Sequence, residues 1–154
     1  MALWQRLARP GTAVVAMLGC VAMSVLAAAP DNPLAADRWQ HRPLVIVAPN
    51  DTSPAFRDLI NRLDDHAAGF ADRDMIRYVI TPDEGRRDGQ RLSSKQRAAL
   101  VRAIEADPAG SAEMILVGKD GGVKMRAPLD TAVEAIFERI DRMPMRRREM
   151  QEDG

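Results

Sequence analysis

Six consecutive apolar residues, Pro43-Leu44-Val45-Ile46-Val47-Ala48, are followed closely by Ser53-Pro54 and then by Phe56, Leu59, Ile60 and Leu63. A continuous apolar run rich in β-branched residues has no polar side chain to present to water on either face, so it suits a strand covered on both sides. The serine supplies a helix cap, proline fits the first helical position, and the apolar residues after it recur at helical spacing. A doubly buried strand feeding an amphipathic helix demands a layered α/β fold with helices on both faces of the sheet.

The rest of the chain continues the alternation. The first helix is expected to close at Gly69, and Met75-Ile76-Arg77-Tyr78-Val79-Ile80 reads as a second strand stopped by Thr81-Pro82, with a polar loop from Asp83 to Arg91. Ser93-x-x-Gln96 is a capping-box pattern ahead of Leu100, Val101 and Ile104, and Asp107-Pro108-Ala109-Gly110 ends that helix. A third strand spans Glu113 to Gly118. Lys119-Asp120-Gly121-Gly122 turns it into the alternating Val123-Lys124-Met125-Arg126, with the glycines expected to supply positive φ. Thr131-x-x-Glu134 caps a last helix carrying Val133, Ile136, Phe137 and Ile140, which Pro144 prevents from running on. The predicted order is strand, helix, strand, helix, strand, strand, helix (βαβαββα). Parallel strands joined by helical crossovers and followed by an antiparallel hairpin give a mixed sheet of about four strands, the arrangement of a minimal thioredoxin-like domain over residues 37–145, with a polar, arginine-rich tail over 146–154.

Residues 1–29 read as an export signal rather than as fold. Arg6 and Arg9 precede an uncharged run from Gly11 to Ala29, with small residues at its end. Cleavage after Ala27 keeps Pro30 away from the new N-terminus; left uncleaved, residues 11–29 would tether the domain to the inner membrane. Met17-Leu18-Gly19-Cys20 loosely resembles a lipobox, but nine further apolar residues after Cys20 do not suit a lipidated start. The expected location is periplasmic or secreted, with membrane contact only through that segment if it is retained. Cys20 is the only cysteine, so the exported domain would contain none. Disulfide bonds, a thiolate nucleophile and a cysteine-based zinc site are thereby excluded from it. The whole chain balances 22 basic against 22 acidic residues. An exported, nearly neutral domain with few aromatics is not a nucleic-acid binder.

Three stretches then stand out: Arg38-Trp39-Gln40-His41-Arg42-Pro43-Leu44, Val117-Gly118-Lys119-Asp120-Gly121-Gly122-Val123-Lys124, and Ile140-Asp141-Arg142-Met143-Pro144-Met145-Arg146-Arg147-Arg148-Glu149-Met150. Together they resemble the family called domain of unknown function 4174, found in small exported bacterial proteins and in secreted animal proteins with sushi repeats or matrix association, over roughly Asp37 to Met150. The resemblance implies a thioredoxin-like fold and export, and it implies no particular activity. Redox-active thioredoxins place paired cysteines between the first strand and its helix, where the helix end stabilises a thiolate. Pro49-Asn50-Asp51-Thr52-Ser53-Pro54 stands there instead, and the proline such enzymes carry before the third strand is replaced by Ala109-Gly110-Ser111-Ala112.

No catalytic residue, cofactor motif or metal set is therefore assigned. Asp51, Thr52 and Ser53 suit helix capping, and together with Lys119-Asp120 they form the alternative, a small-ligand or enzyme site. His41 and His66 lack metal-ligand spacing, Asp64-Asp65-His66 reads as a solvated helix end, and Met143-x-Met145 with Met150 offers thioethers to cuprous copper, but packing of Met143 and Met145 against the domain accounts for them better. Lys119 and Asp120 at the hairpin, with Arg146, Arg147 and Arg148 in the tail, form the candidate contact surface. Guanidinium groups grip carboxylates and phosphates, so the partners expected for a non-catalytic module are an acidic envelope protein, an anionic polysaccharide or a lipid head group.

Overall fold

The structure, a computed structural model, describes residues 31–152 and Gly154. The segment read as an export signal lies outside the described residues. Among the described residues no helix is long and apolar enough to cross a membrane.

Among the described residues twelve elements follow one another: α1 (Pro33–Asp37), β1 (Arg42–Val47), α2 (Pro54–Asp65), α3 (Ala67–Asp72), β2 (Met75–Ile80), β3 (Gly85–Arg87), β4 (Gln90–Arg91), α4 (Ser94–Ala103), β5 (Glu113–Val117), β6 (Val123–Ala127), α5 (Val133–Asp141) and α6 (Pro144–Glu152). They build one mixed sheet in the order β4-β3-β2-β1-β5-β6. Only β1 and β2 are parallel, in register from Arg42 opposite Met75 to Val47 opposite Ile80; β5 runs antiparallel to β1, and β6 to β5.

Every residue of β1 is buried, as its unbroken apolar run requires of a central strand. Its side chains alternate between two cores. Leu44, Ile46 and Ala48 pack with Met114 and Leu116 against Phe56, Leu59 and Leu63 of α2 and Val133, Ile136 and Ile140 of α5. Val45 and Val47 pack on the opposite face with Tyr78, Ile80, Ile115 and Val117 against Leu34 of α1, Leu100 of α4 and Ile104 at the C-cap of α4. The period-two alternation of a strand thus fills both layers from one short segment.

Several local expectations are met at atomic detail. The Ser53 hydroxyl accepts from the Phe56 N–H at 3.2 Å. Both halves of the Ser93–Gln96 capping box form. The hairpin turns at Gly121 with φ +84°, while Gly122 does not adopt positive φ.

Other expectations are corrected. The sheet has six strands, not about four, because β3 and β4 form a small hairpin inside the segment read as a polar loop, turned at Asp88 and Gly89 with φ of 47° and 82°. Gly69 ends no helix; it lies inside α3, where a Cβ would come within 2.5 Å of the Phe137 ring, so it is a close-approach glycine. Ala132, not Thr131, occupies the N-cap of α5, and no side chain caps that end. Helical structure is also described outside residues 37–145: Leu34 of α1 is buried, and residues 146–152 of the expected tail belong to the helix α6.

Candidate functional site

The parallel start of β1 and the end of β5 lie side by side at one end of the sheet, and α6 closes over them. Arg42, the first residue of β1, is 1% exposed. Its Nη1 donates to the Arg73 carbonyl at 2.9 Å, and its Nη2 donates to both carboxylate oxygens of Glu149 on α6 at 2.9 Å each. Lys119, just past β5, sends Nζ to Glu149 Oε1 at 2.8 Å and to Asp74 Oδ2 at 2.7 Å.

Arg146, also on α6, donates to the Asp72 carbonyl at 2.7 Å and to Asp72 Oδ2 at 2.5 Å. Its buried Nε makes no hydrogen bond and lies 3.5 Å from Asp141 Oδ1. Asp141 in turn accepts from Arg73 Nε and Nη2 at 3.0 and 2.7 Å, and the Arg73 guanidinium lies over the Phe137 ring at 4.4 Å. Arg146 is the only fully buried residue of α6. That helix is therefore held largely by charge, and each buried guanidinium is tolerable because it is paired and hydrogen-bonded. Burial on its own would push the Glu149 carboxyl up, but the hydrogen bonds from Arg42 and Lys119 outweigh it and hold the group below the usual carboxylate range. Asp141 is held low in the same way, with Arg73 and Arg146 outweighing burial.

Outside this cluster a cleft of about 410 Å³ opens between the β5–β6 hairpin and the α5–α6 corner. Lys124, Arg139 and Arg142 supply its outer cations, Met143, Pro144 and Met145 its apolar wall, and Arg42 and Lys119 reach it from beneath. Lys124 pairs with Asp120 at 2.6 Å, and Arg142 pairs with Glu138 at 3.0 Å along the helix. Arg139 donates only to the Lys124 carbonyl, at 3.1 Å, and has no carboxylate partner among the described residues. Asp120, the one acidic residue in the lining, also accepts the Gly122 N–H at 3.0 Å; the hydrogen bond from Lys124 holds its carboxyl low.

The residues singled out from sequence divide accordingly. Lys119 and Arg146 are engaged in internal ion pairs and do not present free charge. Arg147 and Arg148 are exposed, with no ion pair among the described residues. Asp120 is a turn-forming partner of Lys124. Asp51 is exposed, Thr52 donates through its N–H and hydroxyl to Asn50 Oδ1 at 3.2 Å, and Ser53 caps α2. The register puts Asp51–Ser53 beyond the Val47 end of β1 and Lys119–Asp120 beside its Arg42 end, about 20 Å apart at the usual rise per residue. The two halves of the small-ligand alternative do not form one site.

His66 is not a bare helix end: its ring bridges the Arg62 carbonyl at 2.7 Å and Glu134 at 2.9 Å. His41 Nδ1 lies 3.2 Å from Asp37 Oδ1, at an angle that makes no hydrogen bond.

Sequence reasoning missed Arg42, Glu149, Arg139 and Arg142. It also missed a second buried polar cluster, in which the Tyr78 hydroxyl donates to Asp37 Oδ2 at 2.5 Å and Arg87 bridges Asp37 Oδ1 and the Tyr78 oxygen. Burial, then the neighbouring Asp37, pushes the Tyr78 hydroxyl up. The available signal for the corner was the three sequence stretches singled out above, for they converge. Trp39, 61% exposed at φ +67°, donates its N–H to the Lys119 carbonyl at 2.7 Å, while Glu149 joins Arg42 to Lys119.

Residues 33–149 match the model of the family described as domain of unknown function (DUF4174), and the chain belongs to that family. No solved structure matches it.

Proposed function

We propose that this chain is a non-catalytic, redox-inactive, thioredoxin-like interaction module of the bacterial cell envelope, and that its contact surface is the cationic corner where the β5–β6 hairpin meets α5 and α6. The fold reading is supported by the inner strands β2-β1-β5-β6, a parallel pair continued by an antiparallel hairpin, with helices on both faces. The export reading is supported by the apolar, uncharged run behind Arg6 and Arg9.

One observation carries the assignment of the surface. Three stretches far apart in sequence meet in a single ionic cluster, and the cations left outside it, Arg139 and Arg142 beside the cleft and Arg147 and Arg148 on α6, face solvent. The internal pairs hold the backbone that presents them. Exposed guanidinium groups on a fixed frame recognise acidic partners through forked hydrogen bonds.

Cross-linking in intact cells tests this reading. We expect a specific cross-linked partner to disappear in Arg139→Ala/Arg142→Ala or in Arg147→Ala/Arg148→Ala, with thermal stability unchanged. An unaltered partner set in both variants overturns it. Fractionation of the same cells should place the chain outside the cytoplasm; recovery in the cytoplasm overturns the envelope assignment.

A further inference from the structure

We infer that the cleft beside the hairpin binds a small amphiphilic anion, a single carboxylate or phosphate head on a short aliphatic body. The inference rests on the reading of this corner as the binding surface and names the ligand class that its geometry fits. The cleft, at about 410 Å³, lies within the range of roughly 300–1,000 Å³ usual for small-molecule sites.

Its lining has two chemical halves. On one side stand Lys124, Arg139 and Arg142; on the other, Met143, Pro144 and Met145. A guanidinium carries five N–H donors, and Arg139 spends one on the Lys124 carbonyl. The others are free to fork around an oxyanion. Arg142 is tied only to Glu138 along an exposed helix face, a pairing weak enough to exchange for a ligand. The deeper cations, Arg42 and Lys119, are already matched by Glu149 and Asp74, so the cleft offers charge for one head group and not for a polyanion.

The apolar half sets the body of the ligand. Methionine side chains are flexible and polarisable and adapt to aliphatic shapes. No aromatic residue lines the cleft, so nothing there would stack a nucleobase. Cationic ligands are disfavoured as well, because Asp120 is the only acidic residue in the lining and Lys124 already engages it. The carbonyl end of α5 lies at the same corner and opposes an anion, but a forked guanidinium contact is stronger than a helix-end partial charge.

The test is calorimetric titration of the chain with decanoate, decyl phosphate, acetate and decyltrimethylammonium, each below its aggregation concentration. Saturable binding of decanoate or decyl phosphate, with acetate and the cationic amphiphile at least tenfold weaker, is the expected result, and the better of the two binders identifies the head group. Arg139→Gln/Arg142→Gln should weaken binding at least tenfold while leaving the melting temperature unchanged, and Met145→Ala should weaken it severalfold. Failure of both anions to saturate, or equal binding by the double variant, overturns the inference. If the amphiphiles fail while the cross-linked partner is still lost in Arg139→Ala/Arg142→Ala, the corner binds a macromolecule and only the small-ligand inference falls. If the amphiphiles fail and the partner set is also unaltered in both Arg139→Ala/Arg142→Ala and Arg147→Ala/Arg148→Ala, both readings fall.

Discussion

The last two helices are equal in length and consecutive in sequence, yet they are held in opposite ways. α5 lays Val133, Ile136 and Ile140 into the core beneath β1 and β5, whereas α6 has one fully buried side chain, and that is an arginine. Apolar docking tolerates sliding, because dispersion and burial are non-directional. Ionic docking does not, since Glu149 must meet Arg42 and Lys119 at hydrogen-bond distance, and Arg146 must meet Asp72. The first kind of contact supplies stability; the second supplies position, which is what a surface carrying Arg142, Arg147 and Arg148 needs.

The contrast breaks most severely at Ile140. Ile140→Ala removes a fully buried side chain shared by α5 and the sheet and should cost about 4 kcal/mol in urea unfolding. Glu149→Gln should cost less, about 2 kcal/mol, because it leaves the Arg42 guanidinium buried with the Arg73 carbonyl and a neutral amide in place of its carboxylate. The location of the loss separates the two. Limited proteolysis should cut within 144–152 in Glu149→Gln before global unfolding, and should not do so in Ile140→Ala.

Acid should sharpen the same difference. The Glu149 carboxyl is depressed in the folded protein, so its contribution is fully present above the ordinary glutamate value of about 4.3 and is lost as pH falls through the lower folded value. Amide exchange in α6 should therefore accelerate, relative to the intrinsic rate, below about pH 4. Exchange around Ile136 in the middle of α5 should change far less, since its apolar contacts do not titrate, whereas Asp141 at the end of α5, held low by Arg73 and Arg146, follows α6.

Gly69→Ala probes the underside of α5. The new methyl meets the Phe137 ring, and the overpacking, partly offset by better helix propensity, should cost about 1 kcal/mol. The smallest effect is expected for Glu134→Gln. Hydrogen bonding to the Arg62 carbonyl, and then to Glu134, raises the His66 pKa, so the stability it adds is present below the free histidine value near 6.5 and lost as pH rises through the raised folded value. The melting-temperature gap between the two proteins should be widest near pH 6 and should narrow by pH 9, leaving only the part that comes from the Glu134 charge at the start of α5.

The sequence was legible wherever burial imposed a period. β1, β2, β5, α2, α4 and α5 all carry an apolar pattern at the period of their element, and each forms near its expected bounds except α2, which stops at Asp65 rather than Gly69. α6 carries none, so Arg146-Arg147-Arg148 resembled a solvated tail. β3 and β4 are too short for a period, and Asp88-Gly89, a strong tight-turn dipeptide, was their only local signal. For the candidate site, the hairpin and the terminal arginines stand out in the sequence because polar turn residues and adjacent guanidinium groups are able to bind carboxylates or phosphates. Arg42 did not, since nothing in a single sequence says that a residue opening a buried strand will pair with a glutamate 107 positions later. Side-chain pairing across that separation is decided by tertiary geometry, which leaves no local trace.

The bond between Arg42 and Glu149 also has a meaning in time. A chain is made from its N-terminus, so β1 leaves the ribosome long before the residue that neutralises its first guanidinium, and the same holds for Lys119 and Asp72, which wait for α6. Until those final turns emerge, the sheet can form its apolar layers but holds cations near its end with no counter-charge from α6. The domain is thus a loop sewn shut at its last stitch, and a nascent chain lacking that stitch stays open at the very corner where its ligand would bind.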